Sequence, residues 1–256
     1  MKRELTREVL LQRLVALETA VTPKHPPTNG QSPFVHEPGQ LPILLSAPHG
    51  TAHRRNGRVK AEEGFTSALA RLVAAETGAH VLYTQFLSPD DPNYEPDTPY
   101  KTALRRIVQK YGICFVLDIH GMSDRHGFGL ALGTMNGRSC PRQEPLILQT
   151  LQTHGFHQST KAEVRQYDRL RWDHFVLNHS RFTGGVINHT VTKFVVEELG
   201  VAAVQIELCS SLRVVQSVTT DGRVVFVGDE RGVETAVRTL IALVHRLDFV
   251  RLETGD

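Results

Sequence analysis

Short apolar runs and longer segments of helical period alternate along most of this chain. Residues 42–47 (PILLSA), 79–85 (AHVLYTQ), 113–121 (ICFVLDIHG), 127–134 (GFGLALGT) and 201–211 (VAAVQIELCSS) have the length and apolar density of buried strands. Between and after them, 61–78, 97–112, 145–155, 188–200 and 230–247 repeat their apolar positions at helical spacing, with Gly78 and Gly112 as stop signals. The stretch 214–228 predicts a hairpin with Asp221-Gly222 as its turn. The amphipathic N-terminus, 1–21, predicts a surface helix, and the Pro- and Gly-rich segment 22–41 a surface strap leading to the core of 42–256. This alternation predicts one α/β domain, three layers deep (α/β/α), around a central, mainly parallel, mixed sheet. In such sheets ligands sit beyond the carboxyl ends of the strands.

Composition narrows the field without choosing a function. With 256 residues, 40% hydrophobic and 22% charged, the chain has ample material for a core. No run of about 18 apolar residues suggests a membrane span, and the glutamates of the first helix argue against a signal peptide. The net charge is only +2, and the basic clusters HRRNGRVK (53–60) and RQYDRLRWDH (165–174) read as solvated faces, which disfavours a nucleic-acid partner. Three cysteines, Cys114, Cys140 and Cys209, share no CxxC spacing, so the expectation is a reducing cytoplasm with no disulfide framework. Neither GxGxxG nor GxxxxGK[ST] occurs, which sets aside a nucleotide-binding α/β protein.

The chemistry gathers where apolar strands end. The first strand runs into SAPHG with His49. The third ends in Asp118 and His120, and the last in Gln205 and Glu207, each pair two apart and so on one face. Glu62 and Glu63 stand at the start of a helix. Singly, each has a bland explanation: a turn histidine, first-turn helix charges, or a buried Glu207 paired with Arg213. Brought to one sheet edge, two histidines and a carboxylate make a usual zinc set with an open position. A further glutamate standing off the metal can serve as general base towards a water.

SAPHG, an acidic residue about 14 positions on at a helix start, DPNY, DIHGM, TGG and VQIEL occur in this order. Over about residues 42–213 they resemble the N-formylglutamate amidohydrolase family, of phosphorylase/hydrolase-like architecture and related to the zinc carboxypeptidases. The resemblance implies one zinc per chain held by His49, Glu63 and His120, with Glu62 the alternative to Glu63. It implies Glu207 as the general base and Asp118 as a group orienting a metal ligand. Near the substrate it implies Asp91, Asn93, Gly185 and an arginine, for which Arg181 and Arg213 are the candidates, Arg213 also beside the developing oxyanion. Two departures stand out. Tyr94 follows DPN where the family tends to have arginine, and Ala52 stands where zinc carboxypeptidases carry a glutamate.

The expected activity is therefore zinc-dependent hydrolysis of the amide bond of a small N-acyl amino acid such as N-formylglutamate. The rival readings are a zinc peptidase for γ-linked or cell-wall peptides and a non-catalytic binding protein on the same fold. The expected partner is a small molecule, with neither nucleic acid nor membrane.

Overall fold

The computed structural model describes residues 5–28, 30–215, 217–218, 224–225 and 228–254. Helix α1 (Arg7–Thr19) precedes strands β1 (Phe34–Glu37) and β2 (Leu41–Ala47), then a two-stranded ribbon, β3 (His53–Arg55) and β4 (Arg58–Lys60). Next come α2 (Thr66–Thr77), β5 (Ala79–Thr84), α3 (Pro99–Tyr111), β6 (Phe115–Gly121), β7 (Phe128–Gly133) and α4 (Glu144–Thr153). The chain continues through β8 (His157–Gln158), α5 (Lys161–Val164), β9 (Arg171–Leu177), α6 (Val191–Leu199), β10 (Ala202–Leu208) and α7 (Ser210–Arg213). A short ribbon, β11 (Ser217–Val218) with β12 (Val224–Val225), and the long helix α8 (Glu230–Thr254) follow. The expected Asp221-Gly222 turn lies outside the described residues.

The main sheet has eight strands in the order β1-β5-β2-β6-β10-β7-β9-β8. Only the β1–β5 and β10–β7 pairings are antiparallel, so the sheet is mixed and mostly parallel. Helices cover both faces, giving the three-layer α/β/α architecture. Alternation along each strand builds the layers. Ile43, Leu45, Phe115, Leu117, Val204 and Ile206 face the large core that includes residues of α2 and α8. Leu44, Leu82, Val116 and Ala203 face the other way, against Tyr100 and Leu104 of α3 and Val191 and Phe194 of α6.

The second face carries the chemistry. Two and four residues beyond Val116 on the same side come Asp118 and His120; beyond Ala203 come Gln205 and Glu207; all four are buried. The chain leaves β2 for β5 on one side and returns to β6 on the other, so β2 and β6 flank a topological switch point, where such sheets bind ligands.

Several elements differ from the expectation, among them β9, a main-sheet strand that takes up the end of the basic cluster 165–174. The helix expected over 61–78 begins at Thr66, because Phe65 adopts a left-handed conformation (φ 67°) that starts the helix only after the glutamates. The strap contains β1, an edge strand supported by pairing with β5. The basic cluster 53–60 is a hairpin whose Asn56 and Gly57 both have positive φ (51° and 73°), the geometry of an Asn-Gly turn.

Helix α1 reaches the same region through Glu18, whose Oε1 accepts the Phe65 N–H at 2.8 Å while its Oε2 is buried without a partner. Burial pushes the Glu18 carboxyl up from its ordinary 4.5 to about 7; Glu62 adds to this, and the Phe65 N–H and Arg213 oppose it. A carboxyl raised on folding contributes stability that is complete below its unfolded value and lost as pH rises to its folded value. Glu18→Gln keeps the acceptor and removes that loss. Thermal unfolding should show equal midpoints below about pH 4 and a variant more stable above pH 7 by roughly 5–15 °C, at ~2–4 °C per kcal/mol for a chain of this size. A pH-independent difference would contradict this account of Glu18.

Candidate metal centre and pocket

His49 stands in the turn after β2, in Pro48-His49-Gly50. A Cβ on Gly50 would lie 1.8 Å from Ser67 Oγ, so only glycine lets this turn pass the first residues of α2. The His49 carbonyl accepts the Glu63 N–H at 2.8 Å, which places the Glu63 side chain beside the His49 ring. His120 closes β6, and the Gly121 N–H donates to Glu63 Oε2 at 2.8 Å.

Two imidazoles thus meet on one carboxylate. His49 Nδ1 lies 3.0 Å from Glu63 Oε1, and His120 Nδ1 lies 3.1 Å from Glu63 Oε2. Ligand atoms of the three residues fall within 4.8 Å of one another, a spacing that can hold a metal ion. Burial disfavours the Glu63 charge, yet His49 and His120 hold its carboxyl well below the usual range. Burial likewise opposes a charge on His49, but Glu63 and Asp91 outweigh it and raise the ring to about 9.

The outer ring nitrogens are held too. His49 Nε2 donates to Asp91 Oδ1 at 2.9 Å. Asp91 also receives His53 Nε2 (3.2 Å), Arg55 Nη2 (2.5 Å) and the Asn93 N–H (2.9 Å). Burial opposes its charge, but the histidines hold it far below the carboxylate range. Two groups meet His120 Nε2: the Asn93 amide nitrogen at 2.9 Å and Asp118 Oδ2 at 3.3 Å. The Asn93 orientation is set by the Val191 N–H, which donates to its Oδ1 at 2.8 Å. The ring tautomer then decides the bond: a bare Nε2 accepts from Asn93, and a protonated one donates to Asp118. A cation on Nδ1 selects the second.

The three residues open on a pocket of about 230 Å³, below the ~300–1,000 Å³ of sites that enclose drug-sized ligands. Glu207 lines it and accepts from Gln205 Nε2 at 3.0 Å, while Gln205 Oε1 accepts the Gly184 N–H at 3.0 Å. Burial pushes the Glu207 carboxyl up to about 7; Glu63 and Asp118 add to this, and His120 and His49 oppose it. Two arginines supply positive charge. Arg55 is pinned by Asp91 and lies over the Tyr94 ring at 5.1 Å, whereas Arg181 is exposed.

Of the residues singled out in the sequence, His49, Glu63, His120, Glu207, Asn93, Arg181 and Gly185 all line this pocket. Asp91 lies fully buried behind His49. Asp118 lies behind His120, where its Oδ2 accepts from Thr192 Oγ1 at 3.1 Å and its Oδ1 is unpartnered. Glu62 points away, towards Lys24. Arg213 is not in the pocket wall: it is buried beneath Gly121, donating to the carbonyls of Leu208 and Gly64. It thereby ties down the loop that carries Glu63. His53 and Arg55 are the residues sequence reasoning passed over, and the Asn56-Gly57 turn was the signal that would have folded them back towards Asp91.

No family model matches the chain, and no curated protein matches it. Among solved structures it is similar to an N-formylglutamate amidohydrolase from Ralstonia eutropha JMP134, with 17% identity and a TM-score of 0.49 over 88% of this chain and 100% of that one. It is also similar to a bacteriophage poly-gamma-glutamate hydrolase, with 14% identity and a TM-score of 0.46 over 88% and 93%. A metallo-carboxypeptidase from Burkholderia cenocepacia matches with 12% identity and a TM-score of 0.41 over 91% and 59%. Likenesses this distant assign no activity, and the functional reading rests on the site itself. Among the described residues no helix is long and apolar enough to cross a membrane.

Asp91 is the carboxylate on which His49, His53 and Arg55 all depend. Asp91→Ala leaves the buried His49 and His53 and the half-buried Arg55 without their shared carboxylate, and urea unfolding at pH 7 should show a loss of ~3–5 kcal/mol. A loss under ~1 kcal/mol, the range of an exposed pair, would show that Asp91 does not organise the site.

Proposed function

We propose that this protein is a metal-dependent amidohydrolase that cleaves the amide bond of a small N-acyl amino acid, of which N-formylglutamate is the model substrate. The observation that carries the reading is the convergence of two imidazole Nδ1 atoms on the Glu63 carboxylate, with a second carboxyl, Glu207, in the same pocket. The donor set fits zinc: two nitrogens, one carboxylate, and outer ring nitrogens facing Asp91 and Asp118 in the manner of metal-binding histidines. His49, Glu63 and His120 would hold the ion. Zinc there would supply Lewis acidity, polarising the scissile carbonyl and acidifying water.

The chain's own groups do the rest. Glu207 takes the proton of the attacking water and returns it to the leaving nitrogen; a carboxyl near 7 can do both at neutral pH. Gln205 fixes the Glu207 oxygen, and the Gly184 N–H fixes Gln205. Arg181 binds the substrate carboxylate through its planar fork. Arg55, held by Asp91, presents positive charge to the oxygen on which negative charge develops.

The test is an amine-release assay over N-formyl and N-acetyl amino acids and γ-glutamyl peptides. Hydrolysis of an N-acyl amino acid should stop on chelation and return with zinc. Glu207→Gln should keep its metal and lose ~10²–10⁴-fold in kcat. Arg181→Ala should raise KM by about tenfold with kcat little changed, the sign of lost uniform binding. In the wild type kcat/KM should rise with pH through a midpoint near 7, as Glu207 loses its proton, and this rise should be missing in Glu207→Gln. No hydrolysis of any of these compounds by the zinc-loaded protein, or Glu207→Gln at the wild-type rate, would overturn the proposal.

A further inference from the structure

Lys101 stands where a lysine is opposed twice. It lies in the first turn of α3, at the positive end of the helix dipole, and it is 1% exposed, so its ammonium is largely removed from water. Burial pulls it down from 10.5 to about 8, with Asp118, Asp97, Asp91 and Glu198 opposing.

Its contacts supply the reason. Lys101 Nζ donates to the Glu95 carbonyl at 2.6 Å and to the His189 carbonyl at 2.6 Å. Glu95 ends the turn that carries Asn93, its N–H bonded to the Asp91 carbonyl at 2.9 Å. His189 ends the loop that carries Gly185 and Asn188 in the pocket wall, just before Thr190, the N-cap of α6. These two loops are far apart in sequence, and Asn93 also bridges them by accepting the Val191 N–H at 2.8 Å. The other stalk of the second loop is held at Gly184, whose N–H donates to Gln205 and whose carbonyl accepts from Thr190 Oγ1. Without the ammonium, two carbonyls lose their donor and one stalk loses its anchor.

We propose that Lys101 is a positioning residue that clamps the turn 91–95 to the loop 184–190 and so fixes the substrate-facing wall of the pocket. The effect on substrate rests on the hydrolase reading; the effect on the loops does not. A cavity of about 50 Å³ beside Lys101, lined also by Phe194 and Lys193, leaves room for a guanidinium at this position.

The experiment compares the wild type with Lys101→Met and Lys101→Arg by amide hydrogen exchange, metal content and steady-state kinetics on N-formylglutamate. In Lys101→Met, exchange over 93–95 and 184–191 should accelerate about tenfold or more as the carbonyls lose charged donors, while β2, β6 and β10 keep wild-type protection and zinc content is unchanged. KM should rise with kcat less affected, and Lys101→Arg should restore both loops and KM. Wild-type exchange in both loops of Lys101→Met, or acceleration spread evenly over the chain, would overturn the proposal. Should Lys101→Met not fold, Lys101→Arg decides: wild-type loops and KM support the clamp, and generally raised exchange, or failure to fold as well, overturns it. Loosened loops in a protein that hydrolyses nothing would leave the clamp standing and count against the hydrolase reading alone.

Discussion

The carboxylate of Glu63, shared between His49 and His120, is the contact on which the site depends. The two histidines arrive from the ends of adjacent parallel strands, and the glutamate from the turn before α2. Two buried imidazoles facing each other would repel if charged; the carboxylate between them makes their approach favourable. Much of the surrounding structure then serves to hold that carboxylate in place. Glu18 of α1 accepts the Phe65 N–H, Arg213 donates to the Gly64 carbonyl, and the Gly121 N–H reaches Glu63 itself.

Charge balance around this contact explains the outer layer. His49 has a carboxylate on each ring nitrogen, so its ring is favoured as a cation, and anything binding at Nδ1 competes with a proton. Asp91 takes a further histidine and an arginine, which keeps its own negative charge compensated away from water. On the other wall burial raises the Glu207 carboxyl, whose hydrogen-bond partner is the Gln205 amide. One pocket therefore holds a carboxyl kept ionised by its neighbours and one raised by burial to about 7.

Much of this was legible in the sequence. Apolar strands of alternating face placed Asp118 with His120 and Gln205 with Glu207, because a period of two fixes which side chains share a side. The end of the sheet that carries the pocket followed from the alternation of strands and helices. What the sequence concealed was decided by tertiary contact. Phe34–Glu37 looks like part of a proline-rich strap, and only pairing with β5 makes it a strand. Arg55 lies within a run of charges and meets Asp91 only because the Asn-Gly turn folds the ribbon back. Arg213 follows an apolar strand, as a pocket residue could, but the missing side chain of Gly121 lets its guanidinium lie beneath the site. Lys101 gave no signal, since the carbonyls it binds belong to backbone of no special sequence.

The central claim is that His49, Glu63 and His120 form one metal site. The most direct test is zinc stoichiometry, measured on the chain stripped of metal and then titrated with zinc, for the wild type and for His49→Ala and His120→Ala. The account predicts one tightly held ion per chain in the wild type, lost in both variants while their folded spectra persist. A wild type that takes up no zinc, or variants that bind it as the wild type does, would contradict it.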